Sequence, residues 1–317
     1  MKPFYTYEQQ IEKLKNANLI IEDENQAIDC LKFDGYYNII NGYSFIFKNE
    51  NDKYLRNTTF SDIKTLYDFD KSLRNIIYKY ASSIECHIKA IVAHEFSRNH
   101  GVDEKLYLSP DSFAQNPRNA EAVSRLIKEC NSTIEDARNK NSNKYRSYVE
   151  HNLRVNGHVP MWVLVRALSF GTVSILYKLL CEPEKYEISQ IYELTPKQLS
   201  NALEVVVSFR NIVAHGERTF CAKLPKTRLS TTFGVIPKMS IAKNANGENK
   251  FGKNDFLALM ICFKYLLQPI EFSGFMTETE ILFDSLSENL SPDLIGKIRT
   301  EMGLKGNGWK LLPKLKK

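Results

Sequence analysis

The sequence predicts a mainly α-helical protein, a helical bundle with additional helices and a short β-hairpin or loop insertion. Helix-start signals recur along the chain, apolar residues repeat at three- and four-residue intervals, and strand-like segments are few. A hydrophobic content of 43% supports a substantial core. We expect an N-terminal helical region at 1–60 and a helical domain at 61–317, or one continuous domain over all 317 residues.

Capping boxes and prolines mark the predicted helix starts. The capping boxes are Thr6-x-x-Gln9, Ser132-x-x-Glu135, Thr195-x-x-Gln198 and Thr277-x-x-Glu280. Proline follows the predicted cap in Ser109-Pro110, Thr195-Pro196 and Ser291-Pro292. The short extended candidates are 43–47 and 234–237.

The longest apolar repeat runs from about Ser61 to His100, and its length predicts a bent helix or two helices. Its apolar seam comprises Ile63, Leu66, Leu73, Ile77, Tyr80, Ile84 and Ile91. Asp70, His87 and His94 fall on the same seam. Because no third ligand of suitable spacing accompanies the two histidines, we expect hydrogen-bonded core histidines, with metal binding as the alternative.

A second strong helix is predicted from about Pro196 to His215, with Gly216 as its C-terminal cap residue. Arg210 lies in the middle of an apolar stripe. Burial of a guanidinium there destabilises the fold unless the charge is paired with a carboxylate or binds a ligand. Arginine matches phosphate oxygens and histidine titrates near neutrality, so Arg210 and His215 suit metal-independent RNA cleavage. The alternative is structural, with Arg210 paired to a carboxylate such as Glu85 and His215 acting as a cap.

Spacing alone does not select this pair. Arg146 and His151 have the same five-residue separation, and Lys89 with His94 is a lysine version. Positions five apart on a helix also point about 140° away from each other. Arg210 and His215 therefore converge on one phosphate only if the helix end is distorted or if two chains meet.

The segment 217–253 carries eight Lys or Arg against two Glu and directly follows His215. A basic segment beside a candidate catalytic pair favours a polyanionic substrate, whereas the alternative is a solvated loop. The predicted RNA-binding residues are Arg218, Lys223, Lys226 and Arg228.

Six scattered cysteines without a C-x2-C pair predict reduced core thiols, with neither a disulfide framework nor a zinc site. No apolar run reaches the length of a membrane span, and the N-terminus lacks a signal-peptide core. We therefore expect a cytoplasmic protein that does not bind a membrane, a metal or another cofactor.

Several motifs in a fixed order resemble the Abi family of bacterial abortive-infection proteins, of the AbiD/AbiF type. They are Gln10-Ile11 with Leu14, Gly35-Tyr36-Tyr37, Gly42-Tyr43, Thr59-Phe60-Ser-Asp-Ile63, Leu66-Tyr67-Asp-Phe69-Asp70-Lys-Ser-Leu73-Arg74, Ile84-Glu85 through His94, Pro160-Met-Trp162 through Thr172, Phe209-Arg-Asn-Ile-Val-Ala-His-Gly216 and Met302-Gly303-Leu-Lys-Gly-Asn307-Gly-Trp309. The segment around Arg210 and His215 is similar to the R-x4-H core of HEPN ribonucleases.

The resemblance implies a HEPN-like bundle that cuts RNA as a homodimer, with Arg210 and His215 catalytic and Asn211 assisting. It favours this pair over Arg146 and His151. It also implies a phage-defence role as a toxin, restrained by a small-RNA or protein antitoxin. Two positions depart from the family pattern, Arg166 in place of glutamate and Cys221 in place of asparagine.

Two other functions remain open at this point. The first is an RNA-binding or scaffold module that does not cleave. The second is a partner of a separate effector such as a nucleotidyltransferase.

The predicted apolar contacts of the dimer are Phe209, Ile212 and Val213.

Overall fold

A computed structural model describes residues 3–317, and the chain over that range is mainly α-helical. The α-helices, numbered in chain order, are Tyr7–Asn16 (α1), Glu24–Cys30 (α2), Phe60–His100 (α3), Glu104–Tyr107 (α4), Ala120–Arg138 (α5), Ser147–Asn156 (α6), Met161–Ala167 (α7), Phe170–Leu179 (α8), Glu182–Gln190 (α9), Pro196–Ala214 (α10), Phe256–Leu266 (α11), Pro269–Asn289 (α12) and Pro292–Glu301 (α13).

The central element is α3, which packs against α7, α10 and α12. It is one uninterrupted helix, so the alternative of two helices is wrong. Its start is fixed by a capping box, in which the Asp62 backbone N–H donates to Thr59 Oγ1 at 3.0 Å and the Thr59 N–H donates to Asp62 Oδ2 at 2.8 Å. A single cluster of buried side chains extends from Ile11 to Leu312 around this helix.

The connection between α2 and α3 begins with π-helical and 3-10 turns at Leu31–Gly35, Tyr37–Asn41 and Ser44–Phe47. The predicted extended segment at 43–47 is therefore helical. Tyr43, Ser44, Ile46 and Phe47 are buried and only Phe45 of this segment is exposed, so its burial does not follow the strict alternation of a half-buried strand.

The insertion at 217–253 is a loop without paired strands, which settles the choice between hairpin and loop. Its only regular element is a 3-10 turn at Ile236–Met239, where the sequence predicted an extended segment. Isolated bridges such as Lys243 with Asn249 are the only β-type pairing that the structure shows in residues 3–317. After the insertion, α11 is buried on nearly every side.

Four local predictions are corrected. Ser132 and Thr277 lie inside α5 and α12, where neighbouring turns already satisfy the backbone, so neither starts a helix. The side chain of His94 is 73% exposed, so it is not a core histidine. Cys86 is exposed as well and is not a core thiol.

Among the described residues, no helix combines the length and the apolar character needed to cross a membrane.

Candidate functional site

The end of α10 presents His215 to solvent. This helix starts with the predicted capping box of Thr195 and ends with Gly216 in the left-handed region at φ +70°. The Gly216 N–H donates to the Val213 carbonyl at 3.2 Å, and the Glu217 N–H donates to the Ile212 carbonyl at 3.1 Å. This pair of bonds is a Schellman motif, which stops the helix within one residue and leaves His215 exposed at its edge.

A buried carboxylate anchors the chain just beyond His215. Asp70 of α3 is fully buried and accepts bonds from the backbone N–H groups of Thr219, at 3.1 Å, and Phe220, at 2.7 Å. It also accepts from the Tyr43 hydroxyl at 2.6 Å and from Arg74 Nη1 at 2.8 Å. Asp70 thereby joins three distant parts of the chain.

The protonation of Asp70 follows from its surroundings. Burial raises the pKa of the Asp70 carboxyl, while the hydrogen bonds from Tyr43 and Thr219 and the charge of Arg74 act against that rise. The guanidinium and the two backbone groups can only donate, so the ionised carboxylate is the form that satisfies them. An ionised Asp70 holds the Arg74 guanidinium in place.

His215 opens into a pocket of about 640 Å³, which we call the His215 pocket. Its lining residues are Tyr37, Asn38, Asn41, Gly42, Tyr43, Tyr67, Arg74, His215, Gly216, Glu217, Arg218, Cys221 and Ala222. The pocket brings together a titratable imidazole, two guanidinium groups, two side-chain amides and an exposed tyrosine ring at Tyr37. These groups can bind a phosphate, donate to it, and stack on a base.

Arg210 lies outside the His215 pocket and faces α3. Its Nη2 is 3.4 Å from Glu85 Oε2, and Glu85 Oε1 is 2.7 Å from Lys89 Nζ. Lys89 also donates to the Leu168 carbonyl at 2.8 Å. The Nε atom of Arg210 is buried and has no hydrogen-bond partner among residues 3–317. The single chain thus shows the contact expected of the structural alternative, with Arg210 on Glu85 and His215 at the helix cap.

Comparison with known proteins gives the family. A family model described as "Abi-like protein" matches residues 29–221. The chain belongs to the Abi-like family. No curated protein and no solved structure matches the chain.

The matched range contains the groups that form the site in this Abi-like protein. Tyr43, Asp70 and Arg74 lie in it with His215, and so does the Glu85 that holds Arg210. Sequence reasoning did not name Tyr43, Asp70 or Arg74 as site residues. The available signals were an aspartate on an apolar seam and the presence of all three within the quoted family motifs.

The basic segment divides into parts with different surroundings. Arg218 lines the His215 pocket and donates to the Gly42 carbonyl. Lys223 donates from Nζ to the Glu301 carbonyl at 2.6 Å, at the end of α13. Arg228 lies near the start of α10, where its carbonyl accepts from Asn201. Lys226 is exposed. Arg218 is therefore the predicted RNA-binding residue that adjoins His215.

The other arginine and histidine pairs lie elsewhere. Arg146 directly precedes α6 and His151 lies on it; both are exposed, and Arg154 Nη2 is 3.5 Å from His151 Nδ1. Lys89 is held by Glu85, while His94 is exposed. Among residues 3–317, no three His, Cys, Asp or Glu side chains are close enough to hold a metal ion together.

The remaining predicted site residues have clear positions. Asn211 is exposed, with its Oδ1 3.5 Å from Arg210 Nη1. Cys221 lines the His215 pocket, and burial raises the pKa of its thiol. Arg166 stacks on the Tyr148 ring at 4.9 Å, away from that pocket. The departure at Cys221 thus falls at the site, and the departure at Arg166 does not.

The predicted dimer contacts are corrected in part. Phe209 is fully buried and Val213 is 8% exposed, because α10 packs these side chains against its own chain. Neither is free to contact a second copy. Ile212 is partly buried.

Proposed function

We propose that this Abi-like protein is a phage-defence endoribonuclease that cleaves RNA without a metal ion. The observation that carries the proposal is the exposed His215 beside Arg74 and Arg218 in one pocket. The family membership supports the defence role, since the family is described as Abi-like. The HEPN assignment and the AbiD/AbiF type rest on the sequence motifs.

In the proposed reaction the RNA supplies its own nucleophile. The 2′-hydroxyl oxygen attacks the adjacent phosphorus and forms a new P–O bond, while an imidazole accepts the hydroxyl proton. The bond to the 5′-oxygen breaks, and that oxygen takes up a proton from an imidazolium or from water and leaves as a 5′-hydroxyl. The other product is a 2′,3′-cyclic phosphate. Cationic side chains stabilise the extra negative charge of the phosphorane.

Arg210 is proposed to act across a homodimer. Its contact with Glu85 is a long 3.4 Å, and its Nε lacks a partner among the described residues, so its donors are incompletely used. Arg210 of one protomer and His215 of the other would form a composite cleft, as a two-fold interface allows. Asn211, which is exposed beside Arg210, is proposed to assist. The proposed restraint of the toxin is a small RNA or a protein antitoxin.

Purified protein and its variants test this proposal. Wild-type protein with EDTA present is expected to produce 2′,3′-cyclic phosphate ends from single-stranded RNA. His215→Ala should lower the cleavage rate by about 100- to 10,000-fold. His151→Ala is the matched control, because it removes the histidine of the other Arg/His pair, and it should cleave normally. Cleavage that requires magnesium, or a silent His215→Ala variant, would contradict the mechanism.

A second candidate is an RNA-binding module that does not cleave, including one that serves a separate effector. The specific observation in its favour is the engagement of Arg210 by Glu85 in the same chain. Under this reading wild-type protein binds RNA with unchanged ends, and His215→Ala alters affinity alone. Analysis of RNA ends after binding separates the two candidates.

A further inference from the structure

A second basic cavity adjoins the His215 pocket. It has a volume of about 690 Å³ and lies between the turn that contains Phe45 and the end of α13. We call it the lysine groove, and its lining residues are Phe45, Ile46, Lys48, Asp293, Gly296, Lys297, Arg299, Thr300, Glu301, Leu304, Lys305, Gly306 and Asn307.

The lysine groove has an excess of positive charge. Four cationic side chains line it against Asp293 and Glu301. Lys297 and Lys305 are exposed, and neither forms an ion pair within residues 3–317. Lys223, at the edge, donates to the Glu301 carbonyl and lies 3.9 Å from Asp255 Oδ2, so the excess of charge rests on Lys297 and Lys305. Unpaired lysines in a concave surface favour a polyanion.

An aromatic bridge connects the two cavities. Phe45 lines the lysine groove and is 43% exposed, and its ring stacks on Phe220 with 6.0 Å between centroids. The guanidinium carbon of Arg218 lies 5.9 Å from the Phe45 ring centre. Arg218 lines the His215 pocket. The two cavities thus meet at Arg218 and Phe45.

We infer that the lysine groove binds the phosphates of single-stranded RNA next to the cleavage point, while Phe45 stacks on a base. The inference rests on the proposed function, and it names the path of the substrate beyond His215. Single-strand binding sites combine a basic groove with exposed aromatic rings, because every base has a π-face. An acidic polypeptide would also be attracted by the positive charge of the groove. The exposed Phe45 ring and the continuity with the His215 pocket favour RNA as the ligand.

RNA binding in the cleavage-deficient His215→Ala background tests the groove directly. Fluorescent single-stranded RNAs of about 4 to 16 nucleotides cover the usual range of site sizes. Adding Lys297→Ala and Lys305→Ala should weaken binding of the long RNAs and leave the shortest nearly unchanged. If each lysine neutralises one phosphate, the salt slope should fall by about 1.4. Lys105→Ala with Lys140→Ala is the control, because both lysines are exposed in the 104–156 region.

Phe45→Leu tests the aromatic bridge, because leucine keeps an apolar side chain and removes the π-face. It should weaken long-RNA binding by about fivefold to a hundredfold. The inference is overturned if the control pair has the same effect as the groove pair, if the loss is independent of RNA length, or if polyglutamate competes as well as RNA does. Length-dependent binding by a wild-type protein that leaves RNA uncut would refute cleavage and retain the groove. Cleavage by the wild-type protein together with unchanged RNA binding in the groove variant would support cleavage and refute the role of the groove.

Discussion

Replacing Asp70 by asparagine should destabilise the fold and displace the segment that holds His215. The change keeps the size of the side chain and removes its charge. In the structure the Asp70 carboxylate accepts from Tyr43, from Arg74 and from the backbone N–H groups of Thr219 and Phe220. The asparagine oxygen can serve at most part of this set, and the new amide group would meet donors on every side.

The size of the effect follows from burial. Asp70 is fully buried, and the Arg74 side chain is 12% exposed. Removing one partner of a buried ion pair costs about 3–5 kcal/mol, because the remaining charge is left without compensation. We expect a loss of that size in the free energy of unfolding of Asp70→Asn. Arg74→Met in addition should recover part of it, since no buried charge then remains unpaired.

Urea unfolding of wild type and variants measures this free energy. Asp255→Asn is the control. Asp255 is also a buried aspartate, but it caps the start of α11 by accepting from the N–H groups of Gly252 and Ala258, and the cation beside it, Lys223 Nζ, is 3.9 Å away on a side chain that is 41% exposed to water. Asparagine caps helices about as well as aspartate, so this change should cost little. A loss below about 1 kcal/mol in Asp70→Asn, or strictly additive losses in the double variant, would refute the role given to the pair.

Two further predictions concern the dimer and the basic segment. An equal mixture of Arg210→Ala and His215→Ala protomers should recover about a quarter of wild-type cleavage if each site takes one residue from each chain. No recovery, or a fully active monomer in sedimentation, would exclude shared sites. Arg218→Ala should weaken RNA binding in fluorescence anisotropy more than Lys226→Ala with Arg228→Ala, because only Arg218 lines the His215 pocket. The opposite order would place the RNA on the other side of the loop.

Local signals predicted the candidate helix almost to the residue. Thr195 and Gln198 form the expected capping box, Pro196 is the first helical residue, and Gly216 ends the helix with positive φ. Each of these signals depends on bonds between residues a few positions apart. The sequence therefore predicted where His215 would lie relative to its own helix.

The surroundings of His215 were not predictable in the same way. Asp70 bonds to Thr219 and Phe220, which follow it by 149 and 150 residues. Periodicity indicates that a position is buried and cannot indicate which distant groups meet it. The sequence placed Asp70 on an apolar seam and gave no indication of its partners. The hydrogen bonds of the folded chain identify Tyr43, Thr219 and Phe220 as those partners.

The error at His94 has a geometric cause. Leu66, Leu73, Tyr80, His87 and His94 follow each other at intervals of seven. A straight α-helix drifts by about 20° per heptad from a seven-residue repeat. The first three side chains are buried, the side chain of His87 is 33% exposed and that of His94 is 73% exposed. The drift thus carries the heptad row off the buried face along a helix of this length.

The two candidate catalytic residues are anchored at different points of α3. Arg210 contacts Glu85, and the chain after His215 is bound by Asp70. Asp70 and Glu85 are about 22 Å apart along the axis of α3, from a rise of about 1.5 Å per residue. Both anchors are carboxylates of one uninterrupted helix, so neither can shift toward the other without breaking α3. Convergence of Arg210 and His215 on one phosphate therefore requires Arg210 to leave Glu85 or a second protomer to supply it, and the mixing experiment distinguishes these two routes.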